Sequence, residues 1–116
     1  MATSRSADVN KTCRASAAIY SGRADPVWEV SASEAAALEE IWDQLSPSGR
    51  ELPTPPALGY RGASLDCQPH EQWLAYGGVV THVTGRAKEH RIDEQRRFER
   101  ALLNTAPKGL LPPRLF

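Results

Sequence analysis

Alternation of apolar and polar positions predicts the strands of this chain. Small or apolar residues occupy every second position over residues 13–20, and residues 60–67 and 73–83 follow roughly the same period. The polar residues 68–72 join the last two segments as a hairpin loop. The Gly77-Gly78 pair interrupts the last segment, which indicates either a bulge in one strand or a two-residue turn between two strands. We favour the bulge, because four residues before a turn make a short strand.

Apolar residues recur every three or four positions in two other segments, the spacing of an amphipathic helix. The first helix is predicted over 32–45, where Ser31 and Glu34 stand at the spacing of a capping box. The second helix is predicted from Asp93, its capping residue, to about Asn104. The order of elements is therefore β-α-β-β-α, so we predict an α+β fold: one small, mainly antiparallel sheet of about three strands packed by two helices.

The remaining segments divide into tails and a connector. Residues 1–11 are polar and aperiodic, which predicts a disordered tail. Residues 46–58 are rich in proline, whose missing amide donors favour an extended connector inside a single domain over 12–106. Residues 107–116 form an apolar C-terminal tail, which we expect to pack against the domain or a partner.

Composition limits both the core and the kind of partner. Alanine supplies 16 of the 116 residues and Leu, Ile, Val and Phe together 22, so the three tryptophans must fill much of the interior. Lysine and arginine total 14 and are balanced by 14 acidic residues. That balance argues against a nucleic-acid partner, because phosphate binding needs a basic excess. A core this small gives marginal stability, and self-association as a homodimer is a further expectation.

Hydropathy and cysteine usage indicate a cellular compartment. No segment is apolar enough to span a bilayer or to act as a secretory signal, so we expect a cytoplasmic protein with no membrane partner. In that reducing compartment Cys13 and Cys67 are expected to be thiols rather than a disulfide. If the protein is exported, we expect the opposite: a location outside the cytoplasm and a disulfide between the two cysteines. No cofactor motif is present, and no cofactor is expected.

One of the two cysteines and all three histidines are concentrated in one part of the chain. A thiolate and imidazoles at such spacing could share a zinc ion, or the thiolate and one histidine could form a nucleophilic pair. We favour neither, because a free cysteine at a strand end is commonly a small buried residue, and no metal site is predicted. The residues concerned are Cys67, His70, His82 and His90.

A histidine acid or base is the alternative, enzymatic interpretation. His82 shares a face of the predicted strand with Tyr76, so both polar ends could reach one cleft. His70, in the predicted loop, is the second candidate. A small cofactor-independent enzyme acting on a peptide or small molecule would use one of these histidines, with an arginine holding a carboxylate or oxyanion.

Two turns place an arginine and aromatic residues beside glycine. Glycine lets a ligand approach the backbone, and guanidinium groups bind carboxylates bidentately. We therefore predict a small soluble binding or protein-interaction module that recognises an anionic, carboxylate-bearing partner, which is a small molecule, a peptide or a protein. The predicted ligand-binding residues are Arg23, Trp28, Tyr60, Arg61 and Tyr76.

Overall fold

A computed structural model describes residues 12–20, 22–56 and 59–112. Antiparallel strands make up most of this structure. The strands are β1 (Cys13–Ala17), β2 (Val27–Val30), β3 (Ser46–Pro47), β4 (Ala63–Cys67), β5 (Glu71–Tyr76), β6 (Val79–Thr84) and β7 (Ala87–Ile92). The helices are α1 (Ala32–Gln44) and α2 (Arg97–Leu103), the second preceded by a 3₁₀ turn (Glu94–Arg96). The predicted tail over 1–11 and the end of the predicted apolar tail, 113–116, lie outside the described residues.

The sheet is larger than the sequence predicts, so the prediction of about three strands packed by two helices is wrong. In the described part of the chain, seven strands form one antiparallel sheet in the order β2-β1-β4-β5-β6-β7-β3. Three of these strands, β2, β3 and β7, are absent from the prediction. β2 and β3 are too short to show a period, and β7 has charged residues at three of its six positions. Their extended form depends on hydrogen bonds to neighbouring strands, which no local pattern reveals.

The Gly77-Gly78 pair forms the turn between β5 and β6, so the predicted bulge is wrong. The two φ angles are 61° and 87°, a region that glycine adopts freely and that two-residue hairpin turns require. The turn shifts the alternation, so that Tyr76 pairs with Val79 and Trp73 pairs with His82. Tyr76 and His82 therefore lie on opposite faces of the sheet rather than sharing one.

Helix α1 begins as the sequence predicts. The Ser31 hydroxyl accepts a hydrogen bond from the Glu34 amide at 3.1 Å, and the Glu34 carboxylate accepts one from the Ser31 amide at 3.0 Å. This capping box satisfies two amides that would otherwise lack partners at the helix start. Leu38 and Trp42 are buried and Glu40 is exposed, as the amphipathic pattern predicts. Glu39, which the same pattern places on the polar face, is buried.

The core lies between the two helices and one face of the sheet. Alanines from β1, β4 and β5 occupy the centre of that face, and they leave room for large side chains from the helices. The helices and the sheet thus complement each other in side-chain volume. The buried alanines are Ala15, Ala17, Ala63 and Ala75, and the large helical residues are Leu38, Trp42, Phe98 and Leu102.

A disulfide joins Cys13 and Cys67 inside this core. The two residues are directly opposed in the pairing of β1 with β4, and both side chains are buried. The prediction of two free thiols is therefore wrong, because the strand register brings together residues that are 54 positions apart. In the described residues, no helix has the length and apolar character needed to cross a membrane.

Candidate functional site

The connector crosses the face of the sheet opposite the helices. Residues 46–47 of the predicted connector belong to β3, and residues 51–53 lie against β5, β6 and the turn between them. Leu52 lies beside Leu74 of β5. Pro53 lies against the turn at Gly77, where a Cβ atom would come within 2.9 Å of the proline Cγ. The absence of a side chain at this glycine therefore lets the connector lie close to the sheet.

Two depressions lie between the connector and the sheet, and Leu52 and Leu74 line both of them. We call the two together the connector groove. The larger depression, of about 360 Å³, is also lined by Glu51, Gln72, Thr81, Val83, Lys88 and His90. The smaller depression, of about 190 Å³, is also lined by Ser16, Arg61, Ser64 and Tyr76.

Polar groups of β6 and β7 line the larger depression. Thr81 pairs with His90 across the two strands, and its Oγ1 lies 2.8 Å from His90 Nδ1. Since this contact engages Nδ1, Nε2 is the ring atom that remains for a ligand. Lys88 lies two residues before His90 and therefore on the same face of β7. Within residues 12–20, 22–56 and 59–112, neither Lys88 nor Glu51 forms an ion pair.

Arg61 is held at the smaller depression by the loop that precedes β2. Its guanidinium donates to the Tyr20 carbonyl at 2.9 Å and lies 3.8 Å from the Asp25 carboxylate. The Tyr20 and Ile19 amides donate to Asp25, and these hydrogen bonds lower the pKa of its carboxyl. Asp25 is therefore charged at neutral pH and positions Arg61 beside Tyr76.

Arg23 and Trp28, two further predicted ligand-binding residues, are not among the groove residues. The Arg23 guanidinium lies 3.8 Å from the centre of the Tyr20 ring, as a cation–π contact. Trp28 is buried in the core, and its indole nitrogen donates to the Thr105 hydroxyl at 2.8 Å. Trp28 therefore belongs to the core, whereas Arg23 is exposed outside the groove.

Tyr60 belongs to a buried polar cluster. Its hydroxyl donates to Glu99 Oε2, and Glu99 is fully buried. Its other oxygen, Oε1, has no hydrogen-bond partner among the described residues. Burial raises the pKa of the Glu99 carboxyl, and burial together with the Glu99 contact raises the pKa of the Tyr60 hydroxyl. This cluster attaches α2 to the segment before β4.

Helix α2 begins at Arg97, with Arg96 in the N-cap position, so the predicted start at Asp93 is wrong, although the Asp93 side chain does contact the first turn of the helix. Its carboxylate accepts hydrogen bonds from the Phe98 amide at 2.8 Å and from the Glu99 amide at 3.0 Å. Gln95 and Arg96 lie between Asp93 and the helix with φ angles of 55° and 57°, which residues other than glycine adopt infrequently. The backbone of this turn brings the chain back so that Asp93 reaches the helix amides.

The two candidate catalytic histidines lie apart from the connector groove. His82 faces the helices, with its ring stacked on Trp73 at 4.4 Å and edge-on to Trp42 at 5.4 Å between centroids. Its Nε2 lies 3.0 Å from the Glu71 carboxylate. His70 is exposed in the turn between β4 and β5. These contacts account for His82 as a packed residue at the edge of the core.

The cysteine and histidines considered for zinc are not brought together. Cys67 is bonded to Cys13 and cannot supply a thiolate. His82 and His90 extend from opposite faces of the sheet, as the pairing of β6 with β7 requires. In the part of the chain that the structure describes, no group of three or more His, Cys, Asp or Glu side chains is placed to hold a metal ion.

Lys88, Thr81 and Glu51 are groove residues that the sequence analysis does not single out. Alternation of Lys88, His90 and Ile92 is the signal that could have revealed one face of β7, but the charged residues between them conceal it.

A scan against protein-family models, a search of curated proteins and a search of solved structures each returned no match.

Proposed function

We propose that this protein is a binding module that holds a carboxylate-bearing ligand in the connector groove. The observation that carries the proposal is that Lys88 and His90, two residues apart on one face of β7, line the same depression as three apolar residues, which we call its apolar floor. The floor consists of Leu52, Leu74 and Val83. The apolar part of a ligand would pack on this floor while its carboxylate accepts hydrogen bonds from the lysine and the histidine.

The smaller depression extends the same site toward a second cation. Arg61 and Tyr76 line it, and the two depressions share Leu52 and Leu74. A longer ligand, such as a peptide, would reach Arg61 as well as Lys88. The anionic ligand expected from the sequence is thus retained, but its principal contacts move from Arg23 to the groove.

The disulfide favours an oxidising compartment as the place where this module works. Disulfides persist in such compartments and are rare in the cytoplasm. The Cys13–Cys67 bond uses both cysteines of the chain and lies in the core. We therefore propose an extracytoplasmic location in place of the expected cytoplasmic one.

The affinity for 4-methylpentanoate, a carboxylate with a branched apolar chain, tests the proposed site. Isothermal titration calorimetry should show that Lys88→Gln weakens binding at least about tenfold, because a hydrogen bond to a charged group contributes about 1.5–3 kcal/mol. Arg14→Gln is the matched control, since Arg14 is an exposed cation on the same face of the sheet but outside the groove. Unchanged affinity in Lys88→Gln, or an equal loss in both variants, would contradict the proposal.

A further inference from the structure

The larger depression of the connector groove has opposite charges on two different elements. Glu51 belongs to the connector and Lys88 to β7, and both line the same depression. Among the residues the structure describes, they are not ion-paired with each other or with other side chains. A ligand with a carboxylate alone would satisfy Lys88 and leave the Glu51 carboxylate nearby as a like charge.

The apolar floor lies with these two charges in one depression. Leu52 adjoins Glu51 in the connector, Leu74 comes from β5, and Val83 from β6. A volume of about 360 Å³ is at the lower end of the range for small-molecule sites. A small molecule with an ammonium group, a carboxylate and an apolar branch would match the two charges and the apolar floor of this depression.

From this charge complementarity we propose that the larger depression binds a free amino acid with an apolar side chain. Its carboxylate accepts hydrogen bonds from Lys88 and His90, its ammonium group donates to Glu51, and its side chain packs on the floor formed by the three apolar residues. This inference rests on the proposed function, because it names the ligand class for the same groove. It adds one requirement, that the ligand is a zwitterion.

Three matched probes distinguish a site for zwitterions from a site for carboxylates alone. The first is leucine. The second, 4-methylpentanoate, lacks the ammonium group, and the third, 3-methylbutylamine, lacks the carboxylate. Calorimetry on the intact protein should give an affinity for leucine at least tenfold higher than for either of the others. Glu51→Gln should remove the preference for leucine over 4-methylpentanoate. Glu29→Gln, an exposed carboxylate on β2 outside the groove, should keep it.

The outcomes distinguish failure of the inference from failure of the proposed function. If 4-methylpentanoate binds as tightly as leucine and Lys88→Gln weakens it, the groove binds carboxylates and the zwitterion requirement is overturned. If Glu51→Gln leaves the leucine preference intact, the assigned role of Glu51 is overturned. If none of the three probes binds, or the amine binds as tightly as leucine, the proposed carboxylate site itself is contradicted.

Discussion

Reduction of the Cys13–Cys67 disulfide is expected to lower the free energy of unfolding by about 4 kcal/mol. The bond joins residues 54 positions apart, and a cross-link of that span restricts the unfolded chain by roughly this amount. Since domains of this size are commonly stable by only about 5–15 kcal/mol, the loss is a large fraction of the total. Denaturant unfolding followed by circular dichroism, with and without a reducing agent, measures it.

The double variant Cys13→Ala with Cys67→Ala is the control for the disulfide. Both side chains are buried, and alanine differs from cysteine only by the missing sulfur atom, so it preserves most of the packing while removing the cross-link. The variant should unfold at the same denaturant concentration whether or not reductant is present. A native protein whose stability is unaffected by reductant would show that the bond does not form in solution, and the proposed oxidising compartment would lose its support.

Glu99→Gln is expected to stabilise the protein at neutral pH and to flatten the dependence of its stability on pH. Burial raises the pKa of the Glu99 carboxyl above its ordinary value of 4.5. The folded state then holds the proton more tightly than the unfolded state. Its contribution to stability is complete below pH 4.5 and is lost as the pH rises through the folded pKa, at about 1.4 kcal/mol per pH unit.

The glutamine variant keeps an acceptor for the Tyr60 hydroxyl and removes the buried titratable group. Burial also raises the pKa of Asp93, so a smaller slope of the same sign should remain. Asp25 has a lowered pKa, and its contribution is lost only in more acidic solution. Unfolding measured between pH 4 and pH 8 tests this, with exposed Glu40→Gln as control. Parallel profiles for the native protein and Glu99→Gln would show that the pKa of Glu99 is not raised in the folded state.

The elements that the sequence predicts correctly have their determinants within a few residues. The capping box of Ser31 and Glu34 marks the start of α1. The Asp93 carboxylate accepts hydrogen bonds from amides in the first turn of α2, although that helix begins later than predicted. The buried face of β1 follows from simple alternation. Strands β2, β3 and β7 lack such local determinants. β7, for example, is extended because β6 supplies its hydrogen-bond partners, and that pairing depends on the turn at Gly77-Gly78.

The candidate site was harder to predict than the helices, because it is assembled from distant segments. Of the five predicted ligand-binding residues, Arg61 and Tyr76 line the groove. Trp28 and Tyr60 have polar ends that the core satisfies, and their identity alone does not distinguish a core residue from a ligand contact. Lys88 becomes a site residue only through the register of β7 with β6. The disulfide was concealed in the same way, by the pairing of β1 with β4.

The most direct test of the connector groove as the ligand site is a heteronuclear NMR titration with 4-methylpentanoate. We expect the largest shifts for amide signals of the connector around Leu52. Large shifts are also expected in β5, β6 and β7 around Leu74, Thr81 and His90. Signals of the helices should move little, because α1 and α2 pack on the other face of the sheet. Shifts concentrated around Arg23 or His82, with the groove signals unchanged, would contradict the proposed ligand site.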